Sequence, residues 1–333
     1  MIDSQVVFVL GAGASICYGF PSGRDLLLDI DDMVRELTRN PALPPEGWHQ
    51  ISPWELRAFA DELRDSQLPS VDQFIESRPT FDRIGRLMIA RTLIPRETPF
   101  TISRRRAREV AEGPRLSRQR WLEYLYGFMA APTADAFLEK NRVSFVTFNY
   151  DRTVEQFFFT ALRRSHGLAE EEALAYVRQM NIVHVYGTLG KFALELDDEQ
   201  GARPFNHDPT PQAVEIAAKA IRILGDHRDG LAPEFTRAHE LLSAAERVCF
   251  LGFGYHRTNV TRLLPNSVSE SLARTRSGSS YIPLYRDKKV VFGTAYGLGV
   301  AERLRATEMI GLSLELSERE ADCLICLQTF PLF

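Results

Sequence analysis

The chain has few lysines, few cysteines and no long apolar run, and each shortage excludes something. No apolar stretch approaches the roughly 20 residues needed to cross a bilayer. The first apolar run, Val6–Leu10, is too short for a signal-peptide core, and no small-residue cleavage site follows a basic start. The expectation is a cytoplasmic protein with no membrane partner. Four cysteines (Cys17, Cys249, Cys323 and Cys326) do not make a disulfide framework and read as reduced core thiols. Cys323 and Cys326 have a metal-like spacing, but no second pair and no neighbouring histidine completes a four-ligand zinc site. No metal is expected. Only five of the 40 basic residues are lysine (Lys140, Lys191, Lys219, Lys288 and Lys289), a bias that reflects codon usage as much as function. A net charge of −4 gives no electrostatic reason to expect direct nucleic-acid binding.

At 333 residues, 44% apolar and 25% charged, the chain suits one large domain. Its most informative stretch is Val6-Val7-Phe8-Val9-Leu10-Gly11-Ala12-Gly13-Ala14-Ser15. Five apolar residues, three of them β-branched, read as a buried parallel strand. The Gly-x-Gly turn lets the backbone approach a pyrophosphate, and the next helix would aim its N-terminal N–H groups at the same anion. An ordinary strand-to-helix turn is the plain alternative. Ile16 stands where the usual dinucleotide fingerprint has its third glycine, and the missing Walker lysine excludes a P-loop.

Downstream, Pro41, Pro44, Pro45 and Gly47 break the first βα unit. From about residue 40 to 139 the pattern is helical, with candidates at Trp54–Leu68, Val71–Ile94 and Trp121–Met129. Arg104, Arg105, Arg106, Arg108, Arg115, Arg118 and Arg120 read as a solvated face or mobile loop. Strand-like runs return at Val143–Phe148, Ile182–Tyr186, Arg247–Phe253 and Lys289–Phe292, separated by helical stretches such as Thr153–Arg164 and Glu215–Leu224. The alternation predicts an α/β fold: a Rossmann-like, mostly parallel sheet with helices on both faces. Its core spans about 1–39 and 140–333, with a helical insertion at about 40–139 inside one domain.

Three strand ends carry unusual polar residues. Asn149 follows Val143–Phe148 at the carboxyl end of a parallel strand, where open α/β sheets bind ligands, and Asp151 reads as the cap of the next helix. In Ile182-Val183-His184-Val185-Tyr186-Gly187-Thr188, period two puts His184 and Tyr186 on one side of the strand. A structural histidine is the plain alternative for His184. Cys249-Phe250-Leu251-Gly252-Phe253-Gly254-Tyr255-His256 ends in a second glycine turn, with Asn259 just beyond.

Together these segments resemble the sirtuin-like (silent-information-regulator-type) NAD-binding family. Gly11-Ala12-Gly13-Ala14-Ser15 matches its opening GAGxS. Gly19-Phe20-Pro21-Ser22-Gly23-Arg24 stands where deacylases carry a loop over the nicotinamide end. Thr147-Phe148-Asn149-Tyr150-Asp151 and His184-Val185-Tyr186-Gly187-Thr188 are similar to the family's T-Q-N-x-D and H-G-S segments, and Leu251–His256 to the late strand that holds the ribose. Ser22-Gly23 replaces the deacylases' Asp-Phe, and their paired zinc-ribbon cysteines are absent, so the resemblance is closer to bacterial anti-phage effectors that hydrolyse NAD. Ser70–Phe74 and Gly293–Leu298 also look like segments of those effectors. Tyr186 before Gly187 looks like a branch encoded beside a HerA-type ATPase.

The resemblance implies an NAD+ glycohydrolase with NAD+ as substrate and no metal, acting as an oligomer, with a HerA-type ATPase as a possible partner. Asn149 would hold the nicotinamide ribose or the attacking water. His184 would be the general base, reaching from about 7 Å further down the strand than the usual histidine. Gly11, Ala12, Gly13 and Ser15 would bind the pyrophosphate, Pro21 and Arg24 the nicotinamide side, and Gly252, Gly254 and Asn259 the adenosine side. Asp151, Tyr186 and Gly187 would complete the cofactor site. The alternatives are a non-catalytic subunit that senses NAD or ADP-ribose, or a deacylase with another acyl-lysine cleft.

Overall fold

The computed structural model describes residues 1–39, 51–99, 120–197, 199–223, 232–263, 289–311 and 314–331. Its strands are β1 (Val6–Leu10), β2 (Val143–Thr147), β3 (Asn181–His184), β4 (Lys191–Phe192), β5 (Ala202–Arg203), β6 (Arg247–Leu251), β7 (Val290–Gly293) and β8 (Leu314–Leu316). Six of them form one sheet in the order β3-β2-β1-β6-β7-β8, every neighbouring pair parallel. Parallel strands need crossovers, and the helices that supply them flank the sheet, giving the expected Rossmann-like α/β architecture. β1 lies in the middle and is buried at all five positions, which accounts for a sequence with no polar face. From β1 the chain first builds outward through β2 and β3, then returns to start again at β6. The order therefore reverses between β1 and β6, where sheets of this kind open a crevice at their carboxyl edge.

Between β1 and β2 the described elements are helical: α1 (Gly23–Arg39), α2 (Pro53–Asp65), α3 (Val71–Ser77), α4 (Asp82–Leu93), α5 (Trp121–Met129) and α6 (Ala134–Lys140). α2 opens with a capping box between Ser52 and Glu55, with Pro53 in its first turn. The run Val71–Ile94 is not one helix. Pro79 disfavours helical backbone at Arg78, so α3 stops and α4 restarts beyond a short 3-10 turn. The later helices are α7 (Thr153–His166), α8 (Glu170–Gln179), α9 (Pro211–Ala220), α10 (Pro233–Ala244), α11 (Arg257–Arg262), α12 (Val300–Ile310) and α13 (Cys323–Thr329). No described helix is long and apolar enough to cross a membrane.

Two further expectations need correction. No helix opens directly from the β1 turn. The chain makes 3-10 turns at Ala12–Ala14 and Ile16–Tyr18, separated from α1 by the left-handed Gly19 and by Pro21. These turns are pinned from α5, where Trp121 Nε1 donates to Ala14 O at 2.8 Å and Leu122 N donates to the Tyr18 hydroxyl at 3.0 Å. Arg120 is not solvated: it is buried, paired with Glu123 at 2.6 Å and stacked over the Tyr18 ring. Arg104 to Arg118 lie outside the described residues.

The insertion is tied to the sheet by a fully buried triad. Glu97 accepts from Arg152 Nε at 2.9 Å and from Arg203 Nη1, while Arg152 Nη1 reaches Arg203 O at 2.6 Å. Shared acceptors satisfy most of the buried donors, as an ion group taken out of water requires. Arg152 directly follows Asp151, so the triad also anchors the segment after β2.

Candidate functional site

Three segments converge at the carboxyl edge of β1 and β2 to enclose a cavity of about 110 Å³. Ala12 and Ser15 come from the β1 turn, Phe20 to Gly23 from the loop before α1, and Phe148 to Asp151 from the end of β2. Asp72 of α3 reaches in from the helical insertion. The volume is well below the roughly 300–1,000 Å³ of sites that enclose a whole drug-sized ligand, so it suits one ring of a larger molecule.

Asn149 forms the floor. Its Nδ2 donates to Gly11 O at 2.9 Å and to Ser15 Oγ at 3.1 Å. A backbone carbonyl can only accept, which fixes the amide orientation. Oδ1 is left without a protein partner among the described residues, an open acceptor in a residue that lines the cavity. Asp151 is buried, takes the Thr153 N–H at 3.1 Å as a cap for α7, and receives the Ser15 hydroxyl. Burial pushes its carboxyl above the ordinary value against those hydrogen bonds.

His184 sits behind this floor and does not present a base to the cavity. Its Nδ1 lies 2.9 Å from Asn149 O, and its Nε2 lies 2.7 Å from Glu155 Oε1 on α7. Both partners are acceptors, so both ring nitrogens carry protons and neither has a lone pair for water. Burial opposes the charged ring, but the Glu155 carboxylate and the Asn149 carbonyl outweigh it and raise the imidazole above its usual value. For Glu155, burial acts upward and the His184 charge outweighs it, leaving the carboxyl lowered. The expected general base is thus a buried imidazolium that holds the backbone of Asn149.

The expected pairing of His184 with Tyr186 on one strand face also fails. β3 ends at His184 and the chain turns, so alternation stops there. Tyr186 instead donates to Asn259 Oδ1 at 2.8 Å, and burial pushes its hydroxyl upward against the nearby Arg262. This pair adjoins the cavity through Phe148, whose ring lies 5.5 Å from that of Tyr186. Gly187 takes a left-handed φ of +70°, and a Cβ there would meet Ala220 O at 2.1 Å.

The two glycine turns pack against each other. Gly11 N donates to Leu251 O and Gly13 N to Gly252 O, both at 3.0 Å, and a Cβ on Gly252 would lie 2.0 Å from Ala14 N. Close backbone packing therefore demands these glycines, whatever they bind. Ser15 N is also occupied, by Ala12 O at 3.1 Å. Of the four residues expected to cradle a pyrophosphate, Ala12 alone keeps a free N–H among the described residues. Gly254 is exposed beside the His256 ring. Arg24 is exposed on the first turn of α1 and lines a different groove, of about 550 Å³, with Leu27, Leu28, Leu63 and Arg64.

The structure therefore brings Ala12, Ser15, Pro21, Asn149 and Asp151 to one cavity, and leaves Gly11, Gly13, Arg24, His184, Tyr186, Gly187, Gly252, Gly254 and Asn259 outside its lining. Sequence reasoning missed Asp72, Tyr150 and Glu155. The Tyr150 hydroxyl donates to Asp72 Oδ1. Among the described residues no cluster of three or more His, Cys, Asp or Glu side chains is arranged to hold a metal. Comparison with protein-family profiles, curated proteins and solved structures finds no match for this chain.

Proposed function

We propose that the chain is an NAD+ glycohydrolase that breaks the nicotinamide–ribose bond. The observation that carries this reading is the cavity itself, where the β1 turn, the Phe20–Gly23 loop and Asn149 meet at the carboxyl edge of β1 and β2, on the other side of β1 from the β1–β6 crevice where strand order reverses. The cavity would take the nicotinamide end, with the rest of the dinucleotide lying toward the Gly252–Gly254 turn and Asn259. Nicotinamide departs neutral from a pyridinium, so its loss needs no general acid. The ribose passes through an oxocarbenium-like state of the kind known for glycosides. Asn149 Oδ1 would accept a hydrogen bond from a ribose hydroxyl or from the incoming water, and the His184–Glu155 pair would hold Asn149 in place.

As a proposal from the same resemblance, the activity would serve an NAD-depleting defence effector in the cytoplasm, working as an oligomer and controlled by a partner such as a HerA-type ATPase. A second reading is supported by one specific observation, the commitment of both His184 nitrogens. It is a subunit that binds NAD or ADP-ribose and turns over nothing. Incubating the purified protein with NAD+, with and without an acylated peptide, and following free nicotinamide separates the readings. Release from NAD+ alone supports hydrolysis. Release only with peptide makes the protein a deacylase, and binding without release makes it a sensor.

A further inference from the structure

If His184 has no lone pair to give, the proton of the attacking water must go elsewhere, and the groups around the cavity can be taken in turn. Asp151 already receives the Thr153 N–H and the Ser15 hydroxyl. The Ser15 hydroxyl is spent between Asn149 and Asp151. Tyr150 is buried, with its hydroxyl held well above its ordinary pKa by burial and by Asp72, so it is no base near neutrality. Asp72 differs from all of these. Its Oδ1 accepts from the Tyr150 hydroxyl, its carboxyl is also bonded by its own backbone N–H, and no other residue donates to Oδ2 among the described residues, while Asp72 lines the same cavity as Asn149.

The plain account of Asp72 is a first-turn acidic residue favoured by the α3 dipole, two positions past the Ser70 cap. That account explains a carboxylate on α3. It does not explain a side chain bonded across to the β2 end and lining the cavity beside the open Asn149 acceptor.

We propose that Asp72, carried in by the helical insertion, is the carboxylate that takes the proton from the attacking water. The proposal rests on the NAD+ glycohydrolase reading. The C1′–N bond breaks with its electron pair passing to the nicotinamide nitrogen, cancelling the pyridinium charge. The water oxygen forms the new bond to C1′, and one water proton passes to Asp72 Oδ2 and then to solvent. The balance is NAD+ plus water giving ADP-ribose, nicotinamide and one proton. Tyr150 positions the carboxylate by holding its other oxygen. Burial raises the Asp72 carboxyl, while the Tyr150 hydrogen bond, the residue's own backbone N–H and the Arg86 guanidinium on α4 act downward, and Tyr186 also faces it. A raised carboxyl is a stronger base than an exposed one.

The test compares wild type, Asp72→Asn and Tyr150→Phe, following ADP-ribose and nicotinamide from NAD+ between pH 5 and 8.5. Asp72→Asn should lose about 100-fold or more in kcat, with KM within about twofold, and should lose the acid limb of the kcat profile. Tyr150→Phe removes a bond that lowers the Asp72 carboxyl, so the acid limb should move to higher pH. This second variant keeps the test decisive if Asp72→Asn fails to fold. Asp72→Asn turning over at the wild-type rate, or a limb unmoved in Tyr150→Phe, overturns the role of Asp72 and leaves the hydrolase reading standing. A wild-type protein that releases no nicotinamide overturns both.

Discussion

Replacing Glu155 with glutamine should reverse the way folding stability responds to pH. In the wild type the His184 ring is raised, so its contribution is complete below the unfolded value near 6.5 and is lost as pH rises through the folded value. Glu155 is lowered, so its contribution is present above its ordinary value of 4.5 and is lost as pH falls through its folded value. The pair is therefore strongest between those two limits. In Glu155→Gln the ring keeps its burial and loses its counter-charge, and its pKa drops below 6.5. Its linkage then changes sign, with stability held above 6.5 and lost as pH falls. At pH 8.5 the ring is neutral and the new side-chain amide can donate to Nε2, so the cost should be only about 1 kcal/mol. At pH 5.5 the cost should grow toward about 3–5 kcal/mol, the penalty of breaking a buried ion pair. Every tenfold change in the ring's proton affinity supplies about 1.4 kcal/mol of that difference. Urea denaturation of both proteins at pH 5.5, 7 and 8.5 measures it. A destabilisation that stays constant across the three pH values refutes the buried-imidazolium assignment.

Two other substitutions test the geometry. Gly187→Ala forces a methyl toward Ala220 O at a left-handed φ, and should cost at least about 1–3 kcal/mol in urea unfolding; an unchanged midpoint would show that this turn relaxes freely. Arg24→Ala should leave nicotinamide release unchanged and stability within about 0.5 kcal/mol, because Arg24 is exposed in the α1–α2 groove. A KM for NAD+ raised tenfold would return Arg24 to the cofactor site.

Five of the six sheet strands were legible because they announce themselves locally, whereas the three-residue edge strand β8 (Leu314–Leu316) was missed. Val6–Leu10 and Val143–Thr147 are apolar or nearly so, and both are buried along their whole length. Trp121–Met129 was legible to the residue, bounded by the end of an Arg-, Pro- and Thr-rich stretch. Asn149 at a carboxyl strand end and the Phe20–Gly23 loop were legible as site segments, because open sheets bind ligands at that edge. What failed depended on partners distant in sequence. The His184 ring is claimed by Glu155, a residue on another element that no local pattern connects to it. The shared face of His184 and Tyr186 assumed a strand that in fact stops at His184. Asp72 has the local signature of a capped helix start, and only the tertiary arrangement turns it toward Tyr150 and the cavity. Gly11, Gly13 and Gly252 were read as ligand clearance, whereas each has the backbone of the opposite turn as its immediate neighbour.

The most direct test of the central claim is nicotinamide release from NAD+ by wild type and Asn149→Ala, with the fold of each followed by thermal melting. Asn149 also bonds Gly11 O and Ser15, so the variant should lose about 1–3 kcal/mol of stability and remain folded. The account predicts stoichiometric nicotinamide and ADP-ribose from the wild type, and a rate at least about 100-fold lower from the folded variant. A folded Asn149→Ala protein that releases nicotinamide at the wild-type rate would contradict it.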